Sequence, residues 1–325
     1  MPPAPGFDGV RVVDLDRWGQ LLDQRRRSVP WPDVADHLRD HLNVPPVTTD
    51  IFVFVHGWRN SPAKALFAAK RLFHGVLQTY EDAPSRYRQL GDDFRPYFLV
   101  VRWPSMGRYQ EIRDRAHELS TNGSASRILG TLLGYLSSDR KRLGGDVLRT
   151  RDGHYLHCVG HSFGGRFLGE AIRWAADPPR PIVLGWPWPS SHPFAVDSLL
   201  VFQMAASPTI FDGRLASLLT EGPVQGPIVL TFSEHDRATG TFHRIAEGHP
   251  AIGTVGAVLS SGEVGTITLH ASTEPYRSTD FTATRITNVD ASWRYRRRAE
   301  VPGAHSDIYY TESAHLVLSI AALSR

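Results

Sequence analysis

The segment Gly160-His161-Ser162-Phe163-Gly164 sets a hydroxyl between two glycines, each two residues away. A serine hydroxyl is a weak nucleophile until a base takes its proton and pre-aimed N–H donors await the oxyanion that forms on attack. A sharp strand-to-helix turn supplies part of this. It lifts the serine above the sheet edge, its glycines remove side-chain clashes, and the following helix turns its N-terminus toward developing negative charge. The pentapeptide occurs once, after the strand-like Tyr155 to Val159 and before the helix-like Phe167 to Ala176. That setting points to acyl chemistry with Ser162 as nucleophile.

The remaining parts must come from elsewhere in the chain. A second oxyanion donor is expected from a loop that ends an earlier strand, and Val55-His56-Gly57-Trp58 is such a place, with the N–H of Trp58 joining that of Phe163. The acid should follow a later strand. Ser233-Glu234-His235-Asp236-Arg237 follows Ile228 to Phe232; Asp236 is the choice, with Glu234 and then Asp212 as alternatives. For the base, His305 lies in a loop and His315 in a helical stretch. A loop reaches over a sheet edge more easily, which favours His305. His161, inside the turn, is expected to point away from the nucleophile. His154 and His157 have no carboxylate or cysteine set around them, so no metal site is expected. Cys158 alternates with core positions of its strand and is expected to be inert.

The elements that must position these residues read as alternating strands and helices. Ile51 to Val55 is an unbroken β-branched and aromatic run, the pattern of a strand buried on both faces. Ser61 is placed to cap a helix whose first residue is Pro62, with apolar residues at helical spacing from Leu66 to Leu77. Strands are expected at Tyr97 to Val101, Tyr155 to Val159, Val196 to Met204, Ile228 to Phe232, Thr266 to Leu269 and Ile286 to Val289. Helices are expected around Ser124 to Leu136, at Phe167 to Ala176, Ile210 to Leu219 and Ser313 to Leu323. Such alternation implies an α/β fold with a mostly parallel sheet flanked by helices. The loop after Met204 is short, so no large lid domain is expected. Residues 1 to 49 read as an irregular segment packed on a domain of residues 50 to 325, with a strand at Val10 to Leu15 and a helix at Val34 to Leu42. The Pro/Trp-rich stretch of residues 178 to 193 cannot be a regular helix.

Composition narrows the partners. The 325 residues are 41% hydrophobic and 21% charged, enough apolar content for a sizeable core. The 36 Lys and Arg exceed the 33 Asp and Glu by only three charges, which argues against nucleic acid. The runs Arg25-Arg26-Arg27, Arg140-Lys141-Arg142 and Arg296-Arg297-Arg298 read as solvated faces. One cysteine excludes an intramolecular disulfide framework. The opening Met-Pro-Pro-Ala-Pro-Gly-Phe-Asp lacks the pattern of a signal peptide, and no apolar run approaches a membrane span; a cytoplasmic protein without integral membrane contact is expected.

Taken together, the turn around Ser162, the Phe54-Val55-His56-Gly57 strand end with Asn60, the Ser233 to Arg237 turn and the segment from Gly303 through His305 to Tyr310 resemble the α/β-hydrolase superfamily, esterase and lipase type. More narrowly they resemble a bacterial α/β-hydrolase family without a settled function. The resemblance implies the triad Ser162, Asp236 and His305 but brings no substrate; acyl transfer by such a triad needs no cofactor, a small-molecule acyl compound is the expected substrate, and oligomeric state stays open. A substrate pocket above the strand ends is expected to draw on Trp58, Trp103, Met106, Trp186 and Trp188. A ligand-binding or interaction protein with a silent triad, an amidase and an acyltransferase are the alternatives.

Overall fold

A computed structural model describes residues 9–121, 124–137, 154–176, 195–220, 223–297 and 304–325. Strand β1 (Val10–Leu15) is followed by the short β2 (Leu21–Leu22), helix α1 (Val34–Leu42) and β3 (Asp50–Val55). Every residue of β3 is buried, as its unbroken apolar run requires. Helix α2 (Pro62–Asp82) starts as expected: the Ser61 side chain accepts the N–H of Lys64, and Pro62 occupies the first turn, where its missing donor costs nothing.

The chain continues through β4 (Pro96–Arg102), α3 (Tyr109–Thr121), α4 (Ala125–Ser137), β5 (Tyr155–His161), α5 (Phe163–Ala176) and β6 (Ser198–Phe202). After the short α6 (Ser217–Thr220) come β7 (Ile228–Phe232), α7 (His243–Glu247), α8 (Ile252–Val255), β8 (Val264–Thr268), α9 (Thr279–Thr282), β9 (Ile286–Asp290) and α10 (Thr311–Leu323). Two local expectations are corrected. Helix α3 is an added element, and the helix expected over Ile210 to Leu219 is instead a 3-10 turn at Ile210–Asp212 and the single turn of α6, separated by Gly213. The Pro/Trp-rich stretch, with Trp186 and Trp188, lies outside the described residues.

Among the described residues nine strands form one sheet in the order β2-β1-β4-β3-β5-β6-β7-β9-β8. All neighbours are parallel except β1 and β2. Alternation along β3 feeds two cores. Ile51, Val53 and Val55 join the residues under α1, α3, α4 and α5, while Phe52 and Phe54 join those under α2 and α10. No separate lid stands over the described residues, and no helix among them is long and apolar enough to cross a membrane.

Because β3 to β7 and β9 run parallel, their carboxyl ends share one edge. From β3 the chain moves outward to β4, then crosses back to place β5 on the opposite side of β3. The crevice of an open parallel sheet forms at such a reversal. The ends flanking it are Gly57, after β3, and Ser162, after β5.

Candidate active site

Ser162 is the first residue beyond β5 and has φ +58°. This left-handed conformation is strained for a residue with a side chain, and strain of that kind persists only where surroundings enforce it. Close packing enforces it here. A Cβ on Gly160 would stand 2.4 Å from the Cα of Gly165, and one on Gly164 would stand 2.3 Å from the carbonyl oxygens of both Val55 and His56. The glycines let the first turn of α5 lie against the end of β3. The Ser162 N–H is tied to the Phe202 carbonyl at 2.9 Å, fixing the turn to β6. Phe163 opens α5, so its N–H belongs to the first turn, whose donors have no partner within the helix.

The loop after β3 faces this turn. A Cβ on Gly57 would meet the Ser162 Cβ at 2.7 Å, so only glycine allows the two loops to approach this closely. The Gly57 carbonyl is held by two donors, His56 Nδ1 and Asn60 Nδ2, each at 3.0 Å. Peptide planarity therefore turns the Trp58 N–H away from those donors. His56 Nε2 accepts the Trp103 N–H at 3.2 Å, which fixes the tautomer that donates from Nδ1. Burial pushes the His56 imidazole down to about 4, keeping it neutral. Ser105 completes the brace, donating to the Asn60 carbonyl at 3.2 Å while its own carbonyl accepts the Arg59 N–H at 2.9 Å.

Asp236 and His305 arrive from β7 and from beyond β9, and His305 Nδ1 lies 2.7 Å from Asp236 Oδ2. The other carboxylate oxygen accepts the Thr239 N–H at 3.1 Å. A carboxylate only accepts, so Nδ1 is the donor in this bond, which in the neutral tautomer leaves the lone pair on Nε2. The alternatives separate on burial and partners. Glu234 has a 73% exposed side chain, and both carboxylate oxygens of Asp212 accept the Ser260 N–H. His315 is buried in α10 with Nδ1 bonded to the Tyr87 hydroxyl at 2.6 Å and Nε2 to the Glu274 carbonyl at 2.8 Å, leaving neither nitrogen for chemistry.

His161 joins the two halves. Its Nε2 donates to the His305 carbonyl at 2.8 Å and its ring lies 4.8 Å from the His305 ring. Burial first, and then the neighbouring His305, push its imidazole down to about 3, so it is neutral and serves as a fixed donor. Ser162, His161 and His305 are all nearly enclosed, at 1%, 7% and 5% exposure, and electrostatic interactions strengthen in such water-poor surroundings.

The aromatic residues divide between lining and support. Trp58, partly exposed, packs edge-on against Tyr109 at 5.2 Å and near Phe242 at 6.2 Å, and Tyr109 packs on Phe163 at 4.8 Å. Tyr109 bonds through its hydroxyl to His243 Nδ1 at 2.9 Å. Trp103 lies beneath the crevice, stacked on Phe167 at 5.4 Å and donating its indole N–H to the His56 carbonyl at 2.7 Å; it braces the loop from behind. Met106 is 53% exposed on the surface. Gln203, after β6, is fully buried at φ +47°. Its side-chain amide has no hydrogen-bond partner among the described residues, a feature no local pattern announced. Cys158 is buried, and burial raises its thiol, as expected for an inert core residue. Among the described residues no group of three or more His, Cys, Asp or Glu is arranged to hold a metal ion. No protein-family model, curated protein or solved structure matches this chain.

Proposed function

We propose that this chain is a serine hydrolase of α/β-hydrolase type that cleaves an ester or related acyl bond through an acyl-enzyme on Ser162. The observation that carries the reading is the convergence at one sheet edge of a strained serine at φ +58° and a histidine bonded to a buried carboxylate at 2.7 Å. The chain order serine, acid, histidine supports it, as does the place of each after its strand.

In this mechanism Nε2 of His305 takes the Ser162 proton as Oγ attacks the acyl carbon, and Asp236 stabilises the imidazolium that forms. The N–H groups of Phe163 and Trp58 receive the oxyanion. His305 then gives the proton to the leaving group, and a water, deprotonated by the same nitrogen, releases the acid. No step calls on a cofactor. Tyr109, partly exposed and packed on Trp58, offers an apolar wall to the acyl group. Covalent labelling of Ser162 by a fluorophosphonate, absent in Ser162→Ala, tests the reading.

A further inference from the structure

A cavity of about 380 Å³ opens beside His305, on the side of the sheet that carries α2. His161 and His305 line it together with Trp58, Arg59, Lys64 and Tyr309. Among the described residues no Asp or Glu lines it. Among the described residues Arg59 and Lys64 have no carboxylate partner, and Arg59 is set over the Trp58 ring at 5.4 Å. Arg59 also takes a strained φ of +58°, a cost borne where the backbone turns this side chain out of the oxyanion loop. Arg71, which stacks on the far side of Tyr309 at 4.5 Å, belongs to a neighbouring cavity that also holds Asp82. Unpaired cations gathered around a concavity without a counter-charge mark a place for an anion.

The position of the cavity says which part of a substrate would enter. In acyl transfer the base that accepts the serine proton returns it to the leaving oxygen, so the leaving alcohol lies against the histidine. Tyr109, packed on the Trp58 ring and outside this lining, is then left for the acyl side.

We propose that the cavity beside His305 receives an anionic leaving alcohol, so that the substrate is an ester of a hydroxy-carboxylate or of a phosphorylated alcohol, with Arg59 and Lys64 pairing to its charge. The inference rests on the hydrolase reading above. The Ser162 oxygen forms a bond to the acyl carbon, the bond from that carbon to the alcohol oxygen breaks, and the serine proton passes through His305 to the departing alcohol. The alcohol keeps its carboxylate or phosphate throughout.

The test uses three butyrate esters that differ only in the distal group of the leaving phenol: 4-butyryloxyphenylacetate, its neutral amide, and 4-butyryloxybenzylphosphonate. The expected result is a kcat/KM about tenfold or more above that of the amide for at least one anion at low salt, shrinking as salt screens the charges. Whichever anion is favoured identifies the carboxylate or the phosphate source. In Arg59→Gln/Lys64→Gln the ratio of anionic to neutral ester falls to near one; because the ratio is internal to each protein, a loss of folded enzyme cancels. Calorimetric binding of benzylphosphonate and phenylacetate to Ser162→Ala, absent when Arg59 and Lys64 are also replaced, reads the cavity without turnover. Hydrolysis of the amide at the rate of the anions overturns the inference and leaves the hydrolase reading standing. Binding without hydrolysis of any ester sustains the anion site and sinks the hydrolase reading. Failure of both anions to bind overturns the inference whatever turnover shows.

Discussion

Replacing His161 by phenylalanine separates the positioning of His305, the proposed base, from the chemistry proposed for it. Phenylalanine keeps a ring against His305 and removes the Nε2 donor, leaving the His305 carbonyl without the partner it holds at 2.8 Å. An unsatisfied buried acceptor costs about 1–3 kcal/mol, the loss expected at pH 8. Acid changes the balance. His161 is held neutral down to about 3 in the fold, against 6.5 when unfolded, so between those values the unfolded chain takes up a proton that the native one does not. Stability from this group is therefore complete above pH 6.5 and falls as pH drops, by roughly 2 kcal/mol at pH 5. Phenylalanine has no such proton to take up. Urea unfolding should thus show His161→Phe less stable than the parent at pH 8 and close to it at pH 5. If about 1.4 kcal/mol of the lost bond serves to hold His305 in reach, kcat at pH 8 falls about tenfold. A stability gap that stays constant or widens on acidification, or an unchanged kcat, would refute the reasoning.

Two further substitutions probe the neighbouring parts. In Asp236→Asn a single oxygen must serve both the Thr239 N–H and His305 Nδ1, so the amide donor drives His305 toward the opposite tautomer; ester hydrolysis should drop in kcat by roughly 10³–10⁴ with KM little changed, and a loss under tenfold counts against the pairing. Asn60→Ala releases one of two donors on the Gly57 carbonyl and so loosens the Trp58 N–H; kcat should fall by about 10 to 100, short of losing an oxyanion donor outright, and a change confined to KM would place Asn60 in substrate binding instead.

Much of the framework was legible because it is local. The apolar run of β3 and the Ser61-Pro62 start of α2 carry their signals within a few residues. Helix α3 was missed because it buries only a narrow stripe, Ile112, Ala116 and Leu119, with Ser120, among otherwise polar residues. Over Ile210 to Leu219 the apolar spacing suggested a helix, which Gly213, at φ −126° and ψ −100°, interrupts. At the site, the strand-turn-helix around Ser162 could be read directly. The choice of Asp236 over Glu234, two residues apart on one turn, depends on burial that only the assembled loop decides. The expectation that His161 turns from the nucleophile gave no hint of its bond to His305, 144 residues away. The same holds for Trp103, whose support of His56 joins two strand ends.

Ser162 is proposed as the nucleophile of an acyl-transfer triad. Incubation with a fluorophosphonate followed by peptide mass mapping tests it most directly. A single adduct on Ser162 is expected, abolished in Ser162→Ala and strongly slowed in His305→Ala. An adduct that persists in Ser162→Ala, or a native protein that takes up no label under any condition of pH, would contradict it.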